Sequence, residues 1–448
     1  PCLVLLLSLA ACARPGPAQA PPSAVLPGEV DPASVQMDPE ALVALDSLIE
    51  AAIADGAVPG AALAVGRRGK LVRLRGYGVL GEDDPTPVDP STIYDLASVT
   101  KVVGTTTAVM MLLDEGRIDL DDRVVEFLPA WAEGDPRKAR VTLRQLLLHR
   151  SGLPPFRRWF FEIEGRDAYQ DAIRGEPLEA DPGTRTAYSD IGVMTLAWVV
   201  ETVAGERLDR FLERRLFTPL GMADTGFVPD AALRPRIAPT ELDTLWRREM
   251  VRGRVHDENA DAYGGVAGHA GLFSTARDLA VFAEMMRSGG AAPPCDADRP
   301  AGEPCPRTRP GSQRLLEEAT VRGFTRRADS TSSRALGWDT PSGRSSAGDL
   351  FSAASFGHTG FTGTSLWVDP EREVFVVLLT NRVHPTRANS RHVPLRRAVH
   401  DAVARAVRDV PAVARESGDR AATSGGLESA GLESAGLESG GLESADPA

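Results

Sequence analysis

Two kinds of hydrophobic periodicity alternate along the chain. From residue 38 to 56 apolar side chains recur every three or four positions, with Leu42, Leu45, Leu48, Ile49 and Ile53 on one face. Asp38 stands as N-cap, Pro39 in the first turn and Gly56 at the end, so a helix is expected. Residues 61–66 and 71–78 instead alternate around Arg67-Arg68-Gly69-Lys70, the pattern of an antiparallel hairpin. Between 97 and 330 the period is mainly helical, firmest over 99–115, 194–204 and 276–287, the last opened by Thr275 and Asp278 at capping-box spacing. Strand signals return at 365–368 and 373–379 across the turn Asp369-Pro370-Glu371-Arg372. Leu395, Val399, Val403 and Val407 then line a final amphipathic helix over 395–410. The order predicts an α/β (α+β) fold, an antiparallel sheet flanked by helices. Its two halves, 38–96 and 331–410, meet around an inserted all-helical domain at 97–330.

Segments outside this pattern have their own chemistry. Residues 1–12 read as a truncated signal peptide, because the apolar run from Leu3 is too short to span a bilayer. Leu9-Ala10-Ala11-Cys12 resembles a bacterial lipobox, which would leave Cys12 lipidated, although an ordinary cleavage site also fits. An exported, periplasmic or cell-envelope protein is expected, touching the membrane only through a lipid on Cys12. Residues 13–37, rich in Pro and Ala, read as a linker. Cys295 and Cys305 bracket a Pro-, Gly- and Asp-rich insertion at 289–312. In an oxidising compartment they are expected to form a disulfide, worth at most about 3 kcal/mol. No His lies nearby to complete a metal site with them. Residues 411–448 lack a core pattern and repeat Gly-Leu-Glu-Ser, as a disordered tail does.

Composition narrows the function classes. The chain has 448 residues, 42% hydrophobic, enough for a large core and against wholesale disorder. A formal net charge of −12 argues against a nucleic-acid surface. Lysine is scarce, at Lys70, Lys101 and Lys138 alone, so each lysine is worth locating.

Lys101 lies in Ser98-Val99-Thr100-Lys101 at the start of a predicted helix. This spacing puts the hydroxyl and the amine one turn apart on one face, where the amine can take the hydroxyl proton. Tyr188-Ser189-Asp190 precedes a second helix, and His358-Thr359-Gly360 sits where the returning sheet begins. In this order the three segments resemble the active-site motifs of the serine β-lactamase and penicillin-binding superfamily, in the branch with class C β-lactamases and related esterases. Residues 146–153 and 264–275 agree with it. Val255-His256-Asp257-Glu258 and the stretch 357–363 look most like its D-Ala-D-Ala carboxypeptidase-like members.

The resemblance covers roughly residues 38–408 and implies a β-lactamase/transpeptidase-like fold. It implies Ser98 as acylated nucleophile, Lys101 as its proton acceptor and Tyr188 as a second acid/base toward the leaving group. His358, Thr359 and Gly360 would line the opposite wall, and the Ser98 and Phe361 N–H groups would form the oxyanion hole. No metal or cofactor is needed. Two departures stand out. Asp190 replaces the Asn of many relatives and would favour the Lys101 ammonium, moving the base role toward Tyr188. His358 replaces a Lys, so a fixed cation for a substrate carboxylate is missing, and a nearby Asp190 would raise the imidazole's pKa.

The remaining candidates have plainer readings. His149 and His269 sit in Gly-flanked turns and are expected to organise loops. His256, Asp257 and Glu258 are consecutive and would need a distorted loop to converge on one ion, so a metal site is not the expectation. The expectation is a monomeric, envelope-side serine hydrolase acting on a small peptide or ester, with peptidoglycan ends as one target. A class C-type esterase and a penicillin- or peptidoglycan-binding protein without turnover are the alternatives.

Overall fold

The computed structural model describes residues 29–293 and 314–411. The signal segment with Cys12, the Cys295 and Cys305 pair and the tail repeats therefore lie outside the described residues. Among those described, no helix is long and apolar enough to cross a membrane.

A six-stranded antiparallel sheet forms the frame, in the order β3-β2-β1-β11-β10-β9. Its strands are β1 (Gly60–Arg67), β2 (Lys70–Gly81), β3 (Asp84–Pro87), β9 (Phe356–Thr359), β10 (Ser365–Asp369) and β11 (Val374–Thr380). The two sequence halves join where β1 pairs β11, with Leu63 opposite Leu378 and Val65 opposite Val376. All eight residues of β1 are buried, because both sheet faces are covered. On one face Leu63, Val65, Val376 and Leu378 meet the helices Pro39–Ala54 and His392–Ala406 through Leu42, Leu45, Ile49, Val399 and Val403. On the other, Ala62, Ala64, Val377 and Leu379 join the larger core, which includes Leu279 and Ala283.

Several boundaries differ from the sequence expectation, each for a physical reason. The assigned linker ends earlier than residue 37. Val35 and Met37 are buried, and Met37 bridges to Val407. That bridge takes Val407 into extended backbone and ends the last helix at Ala406. A buried guanidinium fixes the junction: Arg67 donates to Val35 O at 2.6 Å, Gln36 O at 2.9 Å and Arg372 O at 3.1 Å, and pairs with Asp409 at 2.5 Å.

The region 97–330 is also less purely helical than its period implies. β4 (Tyr94–Asp95), β8 (Leu272–Ser274) and β5 (Gly226–Phe227) form a small sheet, and β6 (Leu242–Asp243) pairs β7 (Glu249–Met250). The helix Ala276–Arg287 packs against the main sheet and so belongs to the sheet layer. It has half of the expected capping box: Thr275 Oγ1 accepts from Asp278 N at 3.2 Å, while the Asp278 carboxylate turns to Asp224 N and Thr225 Oγ1. Lys138 proves to be a helix cap. Its Nζ donates to Ile173 O, Arg174 O and Glu176 O, satisfying carbonyls at the end of the helix Arg166–Gly175.

Candidate active site

Ser98 sits on a strained turn between β4 and the helical segment that follows. Ala97 has φ of +45°, a left-handed conformation costly for a residue with a Cβ. Asp95 holds this elbow from both sides, accepting Ala97 N at 2.8 Å and His256 N at 2.6 Å. Beyond it the helix widens into i→i+5 turns over Lys101–Thr106, and Thr107 Oγ1 donates to Val102 O at 2.8 Å. Such widened turns frequently mark functional sites.

The Lys101 ammonium is buried and surrounded by acceptors. Its Nζ lies 2.8 Å from Ser98 Oγ, 3.0 Å from His269 O and 2.8 Å from Asp190 Oδ1. The first two accept hydrogen bonds from it, and the Asp190 carboxylate closes an ion pair. Burial alone would lower the amine's pKa. The Asp190 carboxylate and the adjoining Tyr188 outweigh it and hold the pKa well above the ordinary lysine range. Lys101 therefore rests as a donor to Ser98 Oγ.

Tyr188 and Asp190 reach the site from the start of the helix Asp190–Ala204. Ser189 caps that helix, its Oγ accepting from Gly192 N at 3.0 Å and donating to Pro154 O at 2.6 Å. His149 supports the same turn. Its Nδ1 accepts from Ser189 N at 3.1 Å, its carbonyl accepts from Ala187 N at 2.8 Å, and its ring lies 4.5 Å from the Tyr188 ring. Burial, with Arg334 and Lys101 nearby, keeps this imidazole neutral.

His358, Thr359 and Gly360 form the opposite wall at the end of β9. The fit is close: a Cβ at Gly360 would lie 2.3 Å from Leu96 O and 2.2 Å from Thr364 Oγ1. Thr362 and Thr364 hydroxyls donate to Asp95 O and Leu96 O at 2.7 and 2.9 Å, locking this wall to the Ser98 elbow. The Ser98 and Phe361 N–H groups have no hydrogen-bond acceptor among the described residues.

The structure corrects the expectation for His358. Its Nδ1 donates to Thr359 O at 2.7 Å, and its Nε2 is buried without a partner among the described residues. Burial, then Arg334 and Lys101, push its pKa well below the ordinary value, so Asp190 does not turn it into a cation. A cation that the sequence reading did not single out, Arg334, stands nearby. Its half-buried guanidinium lies 5.0 Å from the Tyr188 ring centroid, which has Lys101 Nζ at 4.9 Å. No motif flags Arg334; only its place in space does.

His256 and Asp257 face different partners. His256 Nε2 meets Glu241 at 2.9 Å, and its ring stacks on Phe361 at 5.6 Å. Asp257 meets His269 Nε2 at 3.0 Å. Burial disfavours the His269 cation, but Asp257 outweighs it and raises the pKa. Asp190, Asp257 and His269 offer ligand atoms within 4.8 Å of one another. The Lys101 ammonium already pairs with Asp190, and His269 Nε2 meets Asp257.

This strand frame and the Ser98, Lys101, Tyr188 cluster define a serine hydrolase of the β-lactamase type. The chain belongs to the β-lactamase family, whose profile matches residues 45–401. A protein of Salmonella schwarzengrund provisionally named D-alanyl-D-alanine carboxypeptidase is 32% identical over 403 residues, covering 81% of this chain and 88% of that protein. Among solved structures, the penicillin-binding protein homologue from Caulobacter crescentus has a TM-score of 0.63 at 21% identity, covering 82% of this chain and 98% of its own. A family VIII carboxylesterase has a TM-score of 0.62 at 19% identity, covering 83% and 98%. Both share the fold.

Proposed function

We propose that the protein is a D-Ala-D-Ala carboxypeptidase-like enzyme working through an acyl-enzyme on Ser98. Arg334 carries this reading. A cation held beside Tyr188, with no ion-pair partner among the described residues, supplies what an exposed D-Ala carboxylate needs. Ser98 Oγ attacks the penultimate carbonyl, and the oxyanion is held by the Ser98 and Phe361 N–H groups. Collapse breaks the amide bond, and the serine proton passes by way of Tyr188 to the leaving amine, releasing D-Ala. Water then hydrolyses the ester. The Salmonella relative's name supports this substrate class.

The test is purified protein assayed against a D-Ala-D-Ala peptide, short-chain p-nitrophenyl esters and nitrocefin. D-Ala release is expected, with loss of turnover in Ser98→Ala and a KM raised about 10-fold in Arg334→Met for the peptide but not for neutral esters. Ester turnover without D-Ala release would favour the esterase reading, for which the neutral His358 speaks. We further infer an envelope-side monomer tethered through Cys12 to the outer face of a membrane, on the lipobox-like Leu9-Ala10-Ala11-Cys12. Palmitate labelling lost in Cys12→Ala, and light scattering on the soluble chain, test the two parts.

A further inference from the structure

The Phe361 N–H does not stand alone in the candidate oxyanion hole; it belongs to a peptide group whose other end is also engaged. The carbonyl of that group, Gly360 O, accepts from Arg396 Nη2 at 2.6 Å. Arg396 comes from the far side of the sheet, on the helix His392–Ala406, and only 3% of it is exposed. A second guanidinium, Arg382, donates from Nε to the next carbonyl, Phe361 O, at 2.6 Å and lies 4.2 Å from the Phe361 ring centroid. Arg382 is fixed in turn by Arg387 O and Asn389 O.

We infer that Arg396 is a positioning and polarising residue for the oxyanion hole, acting through the Gly360–Phe361 peptide. In a trans peptide the C=O and N–H point in opposite directions, so a cation on the oxygen stands behind a hydrogen aimed into the cleft. A charge-assisted bond to the carbonyl draws electron density from the amide nitrogen, making the N–H a stronger donor. Its charge also favours the negative oxygen that develops on the far side of the same peptide. Both effects grow as the oxyanion forms and are small for the neutral substrate carbonyl, which is the condition for raising the rate rather than the affinity. Arg382 and the Thr362 and Thr364 bonds hold the peptide plane; Arg396 charges it.

The inference rests on acylation at Ser98, and the experiment separates the two. Wild type is first labelled with a fluorophosphonate and mapped; absence of adduct on Ser98 refutes the site reading itself. With labelling established, Arg396→Met, Arg396→Gln and Arg396→Lys are compared for labelling rate, p-nitrophenyl ester kinetics and the carbonyl stretch of an isotope-edited acyl-enzyme. Loss of the charge is expected to lower kcat/KM and labelling about 10-fold in Met and Gln, through kcat with KM nearly unchanged, and to move the carbonyl stretch to higher frequency. Lys, which keeps the charge, should retain more activity than Gln, which keeps only a donor. Should the Met variant melt below the assay temperature, the Lys and Gln pair still decides. Equal rates in Lys and Gln, a pure KM effect, or an unmoved carbonyl stretch would overturn the inference.

Discussion

Asp190 Oδ1 lies 2.8 Å from Lys101 Nζ, so the lysine one turn from Ser98 is held as a cation by a carboxylate on another helix. An amide at position 190 could bond the same amine without stabilising its charge. The substitution thus changes the electrostatics of the nucleophile more than its geometry, and places the resting proton on Lys101.

Asp190→Asn should therefore make Lys101 easier to deprotonate. Removing the counter-charge lowers the amine's pKa, and the neutral fraction able to take the Ser98 proton grows at a given pH. The curve of fluorophosphonate labelling rate against pH is expected to shift to lower pH by about one unit or more. Superimposable curves for the two proteins would show that Asp190 does not control Lys101.

His358 should not act as a pH-dependent carboxylate contact. Its pKa lies well below the ordinary imidazole value, so it gains no charge between pH 8 and pH 6. KM for a substrate with a free carboxylate is expected to follow the same pH profile across that range in wild type and in His358→Gln. A KM that improves toward pH 6 in wild type alone would restore the imidazolium reading.

How much of this was legible in the sequence depended on how local each signal is. Ser98 and Lys101 are three residues apart, and their contact follows from helix geometry alone. The β1–β2 hairpin was likewise readable from alternation, and its Arg68-Gly69 turn has both residues at positive φ. The charge state of His358 was not readable, because it depends first on burial and then on Arg334, 24 residues away along the chain and brought close only by the fold. The carboxylate considered as its neighbour, Asp190, pairs with Lys101 instead. The helical period over 276–287 identified the helix but not its layer, since an amphipathic stripe does not say which surface it covers.

The same limit applies to Arg67, which reads as a turn residue and is in fact a fully buried tie between both ends of the fold. It satisfies three backbone carbonyls and pairs with Asp409. Arg67→Met keeps the volume but strands those acceptors, and a cost of about 3 kcal/mol is expected. Urea unfolding should show the loss as a lower midpoint, while labelling of Ser98 by a fluorophosphonate in native buffer stays within twofold. A midpoint unchanged from wild type would mean that water replaces the guanidinium at no cost.

Asp278 gives the molecule a pH-dependent stability that can be isolated by one substitution. Burial, followed by repulsion from Asp224, pushes its carboxyl up to about 7, against about 4 in an unfolded chain. Below pH 4 both states hold the proton. Between pH 4 and pH 7 the folded state keeps a proton that the unfolded state has lost, so this group's contribution to stability declines as pH rises. Above pH 7 the folded protein carries a buried carboxylate with Oδ1 unpaired among the described residues. Asp278→Asn is neutral throughout and can still accept from Asp224 N and Thr225 Oγ1. The Tm of the variant minus that of wild type is therefore expected to grow by several degrees from pH 5 to pH 8. A difference that stays constant across that range would show that Asp278 is ionised in the folded protein at both values.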